Sequence, residues 1–339
     1  MVSAMASRVS PRARLCRTAG VFFIDNLQCA NSRDVVVRWK SWYTLYSACC
    51  LLTFALAELY FVANNTVRFY TSVRSFTKSL VLVIPTVISF KVVVNIASSV
   101  FGSRTMLQFF KMSAEYEMRA AFDGRKYRFR CRVSYALRFF IVVSFFVHLV
   151  ANANITVKLL NVQADSLFDF VLKGAMLLFN LLLFTYDMLH FIMLRPCCEV
   201  LIDYVHQQQD HLKSILAIGE KQIVGITAFA IDLDRVRLNL SSIANLRRVL
   251  NSAWQFSIMA SAVGLLIVAC ICIYSFFDDG VPTDQLLLTM SYCGYATIDF
   301  VDVARLSQTM ANEDAWNGDH GPVCRDKQQL IPEVGAGHC

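Results

Sequence analysis

Six long apolar runs alternate with loops whose Lys and Arg fall almost entirely on one side, and this pattern limits the fold more than any other feature. The runs cover residues 42–63, 79–101, 135–157, 167–194, 253–277 and 284–304. A helix needs about 20 mostly apolar residues to cross a bilayer, and each run is long enough. The segments on one side (1–41, 102–134, 195–252 and 305–339) carry 7, 8, 7 and 3 basic residues. The segments on the other side (64–78, 158–166 and 278–283) carry 3, 1 and 0. Basic loops stay in the cytoplasm, so both termini are expected inside. The expected fold is all-α: a polytopic transmembrane bundle of six spans with a cytoplasmic N-terminus.

With 339 residues and 56% hydrophobic composition, the chain is an integral membrane protein rather than a soluble one with a large core. The net charge of +7 belongs to residues flanking the spans, where it sets orientation and meets anionic headgroups, so it gives no reason to expect nucleic acid. Residues 1–20 are rich in Arg and Ser and contain no acid. Because Val21–Ile24 is too short for a secretory core, this is read as a cytoplasmic or interfacial segment. None of the twelve Cys lies in an outer loop, and no disulfide is expected. The pairs Cys49–Cys50 and Cys197–Cys198 lack metal-ligand spacing and read as small buried apolar residues or palmitoylation sites.

The short outer loops predict antiparallel hairpins for spans 1–2, 3–4 and 5–6. Asn64 and Asn154 open glycosylation sequons on the outer side; Asn239 opens one expected to be cytoplasmic. On the inner side span 4 continues past Arg195-Pro196 into a polar, helix-compatible stretch over 199–213. Residues 232–251 place Leu233, Val236, Leu240, Ile243, Leu246 and Leu250 at three- and four-residue steps, which predicts an amphipathic helix. Spans 4 and 5 are therefore expected to extend as cytoplasmic helices, with the stripe free to bind a neighbouring subunit. Residues 312–339 read as a disordered tail. The domains are then 1–41, a cytoplasmic N-terminal segment; 42–311, the transmembrane domain with its helical loop 195–252; and the tail.

No catalytic constellation, metal site or cofactor motif is expected. His206 and His211 are five apart, which spreads them by more than a hundred degrees around a helix, unlike the four-residue step of a ligand pair. Polar groups inside spans are costly and usually functional. Glu58 can reach the interface, whereas the central Lys91 needs a partner or a water-filled cavity. His148 and Asn152 lie one turn apart in the outer half of span 3. Asp169 and Lys173 are spaced to pair, Asp187 and His190 lie three apart, and Tyr292 and Tyr295 share a face above Asp299 and Asp302.

Three stretches then resemble the arthropod gustatory receptor family, of the inverted seven-helix chemoreceptor type. Arg14–Leu27 looks like its short Arg/Gly/Phe segment ahead of the first span. Leu246–Phe256 is similar to the Leu-and-Asn stretch that opens its fifth span. Tyr292-Cys-Gly-Tyr-Ala with Val303–Met310 looks like its sixth span. The resemblance covers about residues 10–311. It implies a ligand-gated cation channel subunit of the plasma membrane, working as a homo- or hetero-tetramer with related receptor subunits, and sensing a small tastant or semiochemical. The implied pocket is in the outer half of the bundle among spans 2, 3, 4 and 6. There His148 and Asn152 would supply hydrogen bonds, Tyr292 and Tyr295 an apolar face with a polar tip, and Phe170 and Lys173 further contacts. The family's seventh helix, which lines the pore and ends in Thr-Tyr and Gln-Phe, has no counterpart here, so the resemblance implies a truncated or non-conducting subunit. Two other classes remain open. A multispan transporter would use Lys91, Asp187, Asp299 and Asp302 as a polar pathway. A G-protein-coupled receptor would require the opposite orientation.

Overall fold

A computed structural model describes residues 3–27, 35–72, 76–127, 135–136, 139–144, 146–147, 149–150, 167–221, 226–277 and 283–319, apart from the side chains of some helical stretches, among them most of 60–85 and 167–177. Eight long helices are described. They are α1 (Ala4–Thr18), α2 (Trp42–Ser72), α3 (Phe76–Phe101), α4 (Ser103–Arg119), α5 (Leu167–Asp187), α6 (Leu189–Lys221), α7 (Ile226–Phe276) and α8 (Thr283–Asp319). The described parts of 135–150 are also helical over 135–136, 139–144, 146–147 and 149–150. One short antiparallel pair, β1 (Ile24–Asp25) with β2 (Val36–Val37), lies between α1 and α2. The fold is an all-α membrane bundle, as the sequence predicts.

The starts of α2, α3, α5 and α8 fall within three residues of predicted span starts, whereas α7 begins at Ile226, well before the predicted span at 253. Among the described residues two helices are long and apolar enough to cross a membrane, in α2 and α7, and up to four if each bent pair forms one span. The bent pairs are α3 with α4, at 55°, and α5 with α6, at 46°. In α8 Asp299 and Asp302 interrupt the apolar run, and both are buried inside the protein. The third predicted span, 135–157, is described only in part, and residues 151–157 lie outside the described residues.

α7 is the hub, packing against α3, α4, α6 and α8. Its predicted stripe is real, but Val236, Ile243, Leu246 and Leu250 are buried within this chain. The expectation that the stripe is free for a neighbouring subunit is therefore corrected: α4 and α6 already cover it. Deep in this layer Asn239 donates to Gln208 Oε1 at 3.1 Å, and Gln208 donates to the Tyr116 hydroxyl at 3.0 Å. Buried this way, Asn239 is no glycosylation acceptor.

The N-terminal segment is more ordered than its composition suggests. Met5, Val9, Ala13 and Cys16 recur at three- and four-residue steps and bury one face of α1 against α6 and α4. Free N–H groups at a helix start attract an anion. The carboxylate of Glu117 in α4 meets this need, accepting from Ala4 N at 2.7 Å and Met5 N at 2.9 Å. Tyr204 of α6 donates to the same carboxylate, and Arg8 pairs with buried Asp203. Burial pushes the Cys16 thiol up to about 12. Cys197 and Cys198 are buried in α6 and act as packing residues rather than acylation sites.

Candidate functional site

The main polar feature of the membrane region is built at the break between α5 and α6. The helix axis turns at Met188, and buried carbonyls at such a break need donors. Asn95 of α3 supplies them, donating from Nδ2 to the carbonyl oxygens of Tyr186 at 3.0 Å and Asp187 at 2.8 Å. Ser257 of α7 in turn donates to Asn95 Oδ1. One asparagine thus ties α3, the α5–α6 junction and α7 together.

Lys91 lies one helical turn before Asn95, so it reaches the same junction. Its Nζ is 3.0 Å from Asp187 Oδ1, with both side chains buried. This is the partner that a central membrane lysine requires. From α8, Tyr295 donates to Asp187 Oδ2 at 2.8 Å, and Tyr292 makes a longer contact of 3.4 Å with Oδ1. The two tyrosine rings meet edge to face at 4.9 Å, and Phe184 packs on Tyr295 at 5.2 Å.

Below this junction the polar groups continue as a ladder between α6 and α8. His190 Nε2 lies 3.5 Å from Asp299 Oδ2. Arg195 Nη1 lies 3.0 Å from Asp302 Oδ2, while its Nε donates to Glu199 Oε1 at 3.1 Å. Arg305 donates to the other Asp302 oxygen at 3.3 Å. On α8 the two acids are three residues apart and share a face, while on α6 His190 and Arg195 are five apart and Arg195 reaches Asp302 with its long side chain. A small cavity of about 20 Å³ adjoins the ladder, lined by Lys91, His190, Ser261, Tyr292 and Asp299 among others. That is room for one water molecule, whereas pockets for small organic ligands run to about 300 Å³ or more.

The structure brings together Tyr292 and Tyr295 of the predicted pocket, with their hydroxyls turned onto Asp187 rather than onto an open cleft. His148 and Asn152 lie outside the described residues. Phe170 and Lys173 fall on α5, where their side chains, and that of Asp169, are outside the description. The Asp187 carboxylate meets Lys91 and Tyr295, whereas His190 Nε2 lies against Asp299. Glu58 does not simply reach for the interface: Ser89 of α3 donates to its Oε1. The sequence reading missed Asn95, although a lone amide four residues after Lys91 in an apolar helix was visible. It also missed the partners Ser257 and Arg195, for which no local pattern gives a signal.

No family model and no curated protein matches the chain. Solved structures do match, and one of them is the insect olfactory receptor OR5 from Machilis hrabei in complex with eugenol. The likeness covers 90% of this chain and 80% of that one, with a TM-score of 0.61 and 12% sequence identity. The chain therefore shares the overall fold of that receptor.

Proposed function

We propose that the chain is an insect-type chemosensory receptor subunit, acting in the plasma membrane as part of a ligand-gated cation channel. The observation that carries this reading is the fold likeness over 90% of the chain to a receptor bound to a small phenolic ligand. The finer assignment is to the gustatory branch, supported by the three stretches that resemble that family. Assembly with related subunits into a tetramer belongs to the same reading, as does a cytoplasmic N-terminus, which the basic asymmetry of the loops supports.

In this reading a small organic molecule binds in the outer half of the bundle, near His148, Asn152, Phe170 and Lys173. Tyr292 and Tyr295 form the floor of that pocket. Their hydroxyls rest on Asp187, so a ligand that shifts the rings also changes what holds the α5–α6 bend. Binding then favours whichever arrangement of α6 and α8 it fits better.

The test is current or calcium entry in cells expressing the full chain, alone and with a related subunit. Eugenol, other small phenols and sugars serve as the first probes. A dose-dependent cation current is expected, shifted by Tyr295→Ala or His148→Ala. An unchanged dose–response in both variants removes this pocket. Sodium- or proton-driven solute uptake without any ligand-evoked current overturns the receptor reading in favour of a transporter.

A further inference from the structure

One exposed face of α7 changes character midway along its length. Ala244, Arg248, Asn251, Ser252 and Gln255 are exposed, and with half-buried Arg247 they line an open groove of about 410 Å³. Every polar side chain in the groove offers a donor, two of them are guanidinium groups, and none is an acid. At 3.6 residues per turn, Met259, Val263 and Leu266 continue the face of Arg248, Ser252 and Gln255. These three apolar residues are between 53% and 66% exposed, as is Ile273 at 63% further along. A donor groove thus runs straight into an apolar stripe on one side of a membrane-crossing helix.

We infer that this face binds a single anionic phospholipid from the leaflet on the α1 side, with its phosphate headgroup in the groove and an acyl chain along the stripe. A charged phosphate accepts charge-assisted hydrogen bonds from Arg and from the Asn, Ser and Gln side chains around it. The position suits a headgroup, since the groove sits where the apolar run of α7 begins. Small side chains at Ala244 and Ser252 leave room for the headgroup to approach the helix. A second copy of the chain is a poorer occupant, because a groove with two guanidinium groups and no acid suits an anion better than a chain of net charge +7. The apolar stripe points to a lipid over a free anion. This inference does not depend on the chemosensory reading.

The experiment uses the purified full chain taken from nanodiscs of phosphatidylcholine containing phosphatidylserine, with retained lipid counted by native mass spectrometry. Wild type is expected to keep phosphatidylserine in preference to phosphatidylcholine. One cation near an anionic headgroup changes affinity about fivefold. Arg248→Gln should therefore lower the preference about fivefold, and Arg247→Gln/Arg248→Gln considerably further. Arg235→Gln, which removes a solvent-facing cation elsewhere on α7, should leave it unchanged. Equal loss in the Arg235 variant, or no loss in either groove variant, overturns the site as a diffuse charge effect. Displacement of the lipid by millimolar inorganic phosphate overturns it in favour of a soluble-anion site. A change of oligomeric mass in the groove variants, with lipid retention intact, overturns it in favour of a subunit interface.

Discussion

The layer built by α1, α4, α6 and the first half of α7 and the junction where α5 meets α6 are both buried, yet they reach burial by opposite means. In the first, apolar side chains at helical spacing cover one another, and the few polar groups are neutral, cap a helix start or, as in Arg8 with Asp203, form an ion pair at the edge of the layer. In the second, charges are taken out of water and kept only because each meets a partner on another helix. Apolar burial degrades gradually when trimmed, since each methylene contributes independently. Buried charge fails abruptly, since removing one partner strands the other. The first region therefore suits a scaffold and the second a junction with two arrangements.

Breaking the junction should have the largest effect. Lys91→Met leaves the buried Asp187 side chain without its cation and should cost about 3–5 kcal/mol, read as a lowered melting temperature of the purified chain. In the scaffold, Leu246→Ala removes a fully buried side chain from the stripe and should cost about 2–5 kcal/mol by the same measurement. If both variants lose equally and each is rescued by a neighbouring apolar substitution, the contrast between the regions disappears. Glu117→Gln keeps the shape but removes the anion that holds the start of α1. Its cost should be about 1 kcal/mol, seen as faster proteolysis within residues 4–18 while the rest stays protected. The smallest effect belongs to the exposed pair of Asp232 and Arg235, 3.8 Å apart, where Arg235→Ala should change stability by less than about 0.5 kcal/mol.

The same contrast sets what was legible in the sequence. The scaffold announces itself through local periodicity: the stripe over 233–250 predicted both a helix and its buried face. What the stripe did not reveal is what covers it, because α4 and α6 are brought to it by distant parts of the chain. α1 was legible in principle, through Met5, Val9, Ala13 and Cys16, but its Arg-rich polar face obscured the pattern. For the junction, the sequence marked Lys91, Asp187 and Asp299 as costly polar groups inside spans, and gave Tyr292 and Tyr295 to a ligand pocket rather than to Asp187. It could not say which pairs with which, since Lys91 and Asp187 are far apart in the chain and the break at Met188 has no Pro or Gly to mark it. In α8 the acids interrupt the apolar run, yet the helix continues to Asp319 because those side chains turn inward.

The junction is tested most directly by a double-mutant cycle on its central pair. Thermal or denaturant unfolding of the wild type, Lys91→Met, Asp187→Asn and the double variant gives the coupling energy. The account predicts two strongly destabilised single variants and a double variant closer to wild type than either, with a coupling of at least about 2 kcal/mol. Additive losses would contradict it, because they would mean that the two charges do not hold each other at the α5–α6 break.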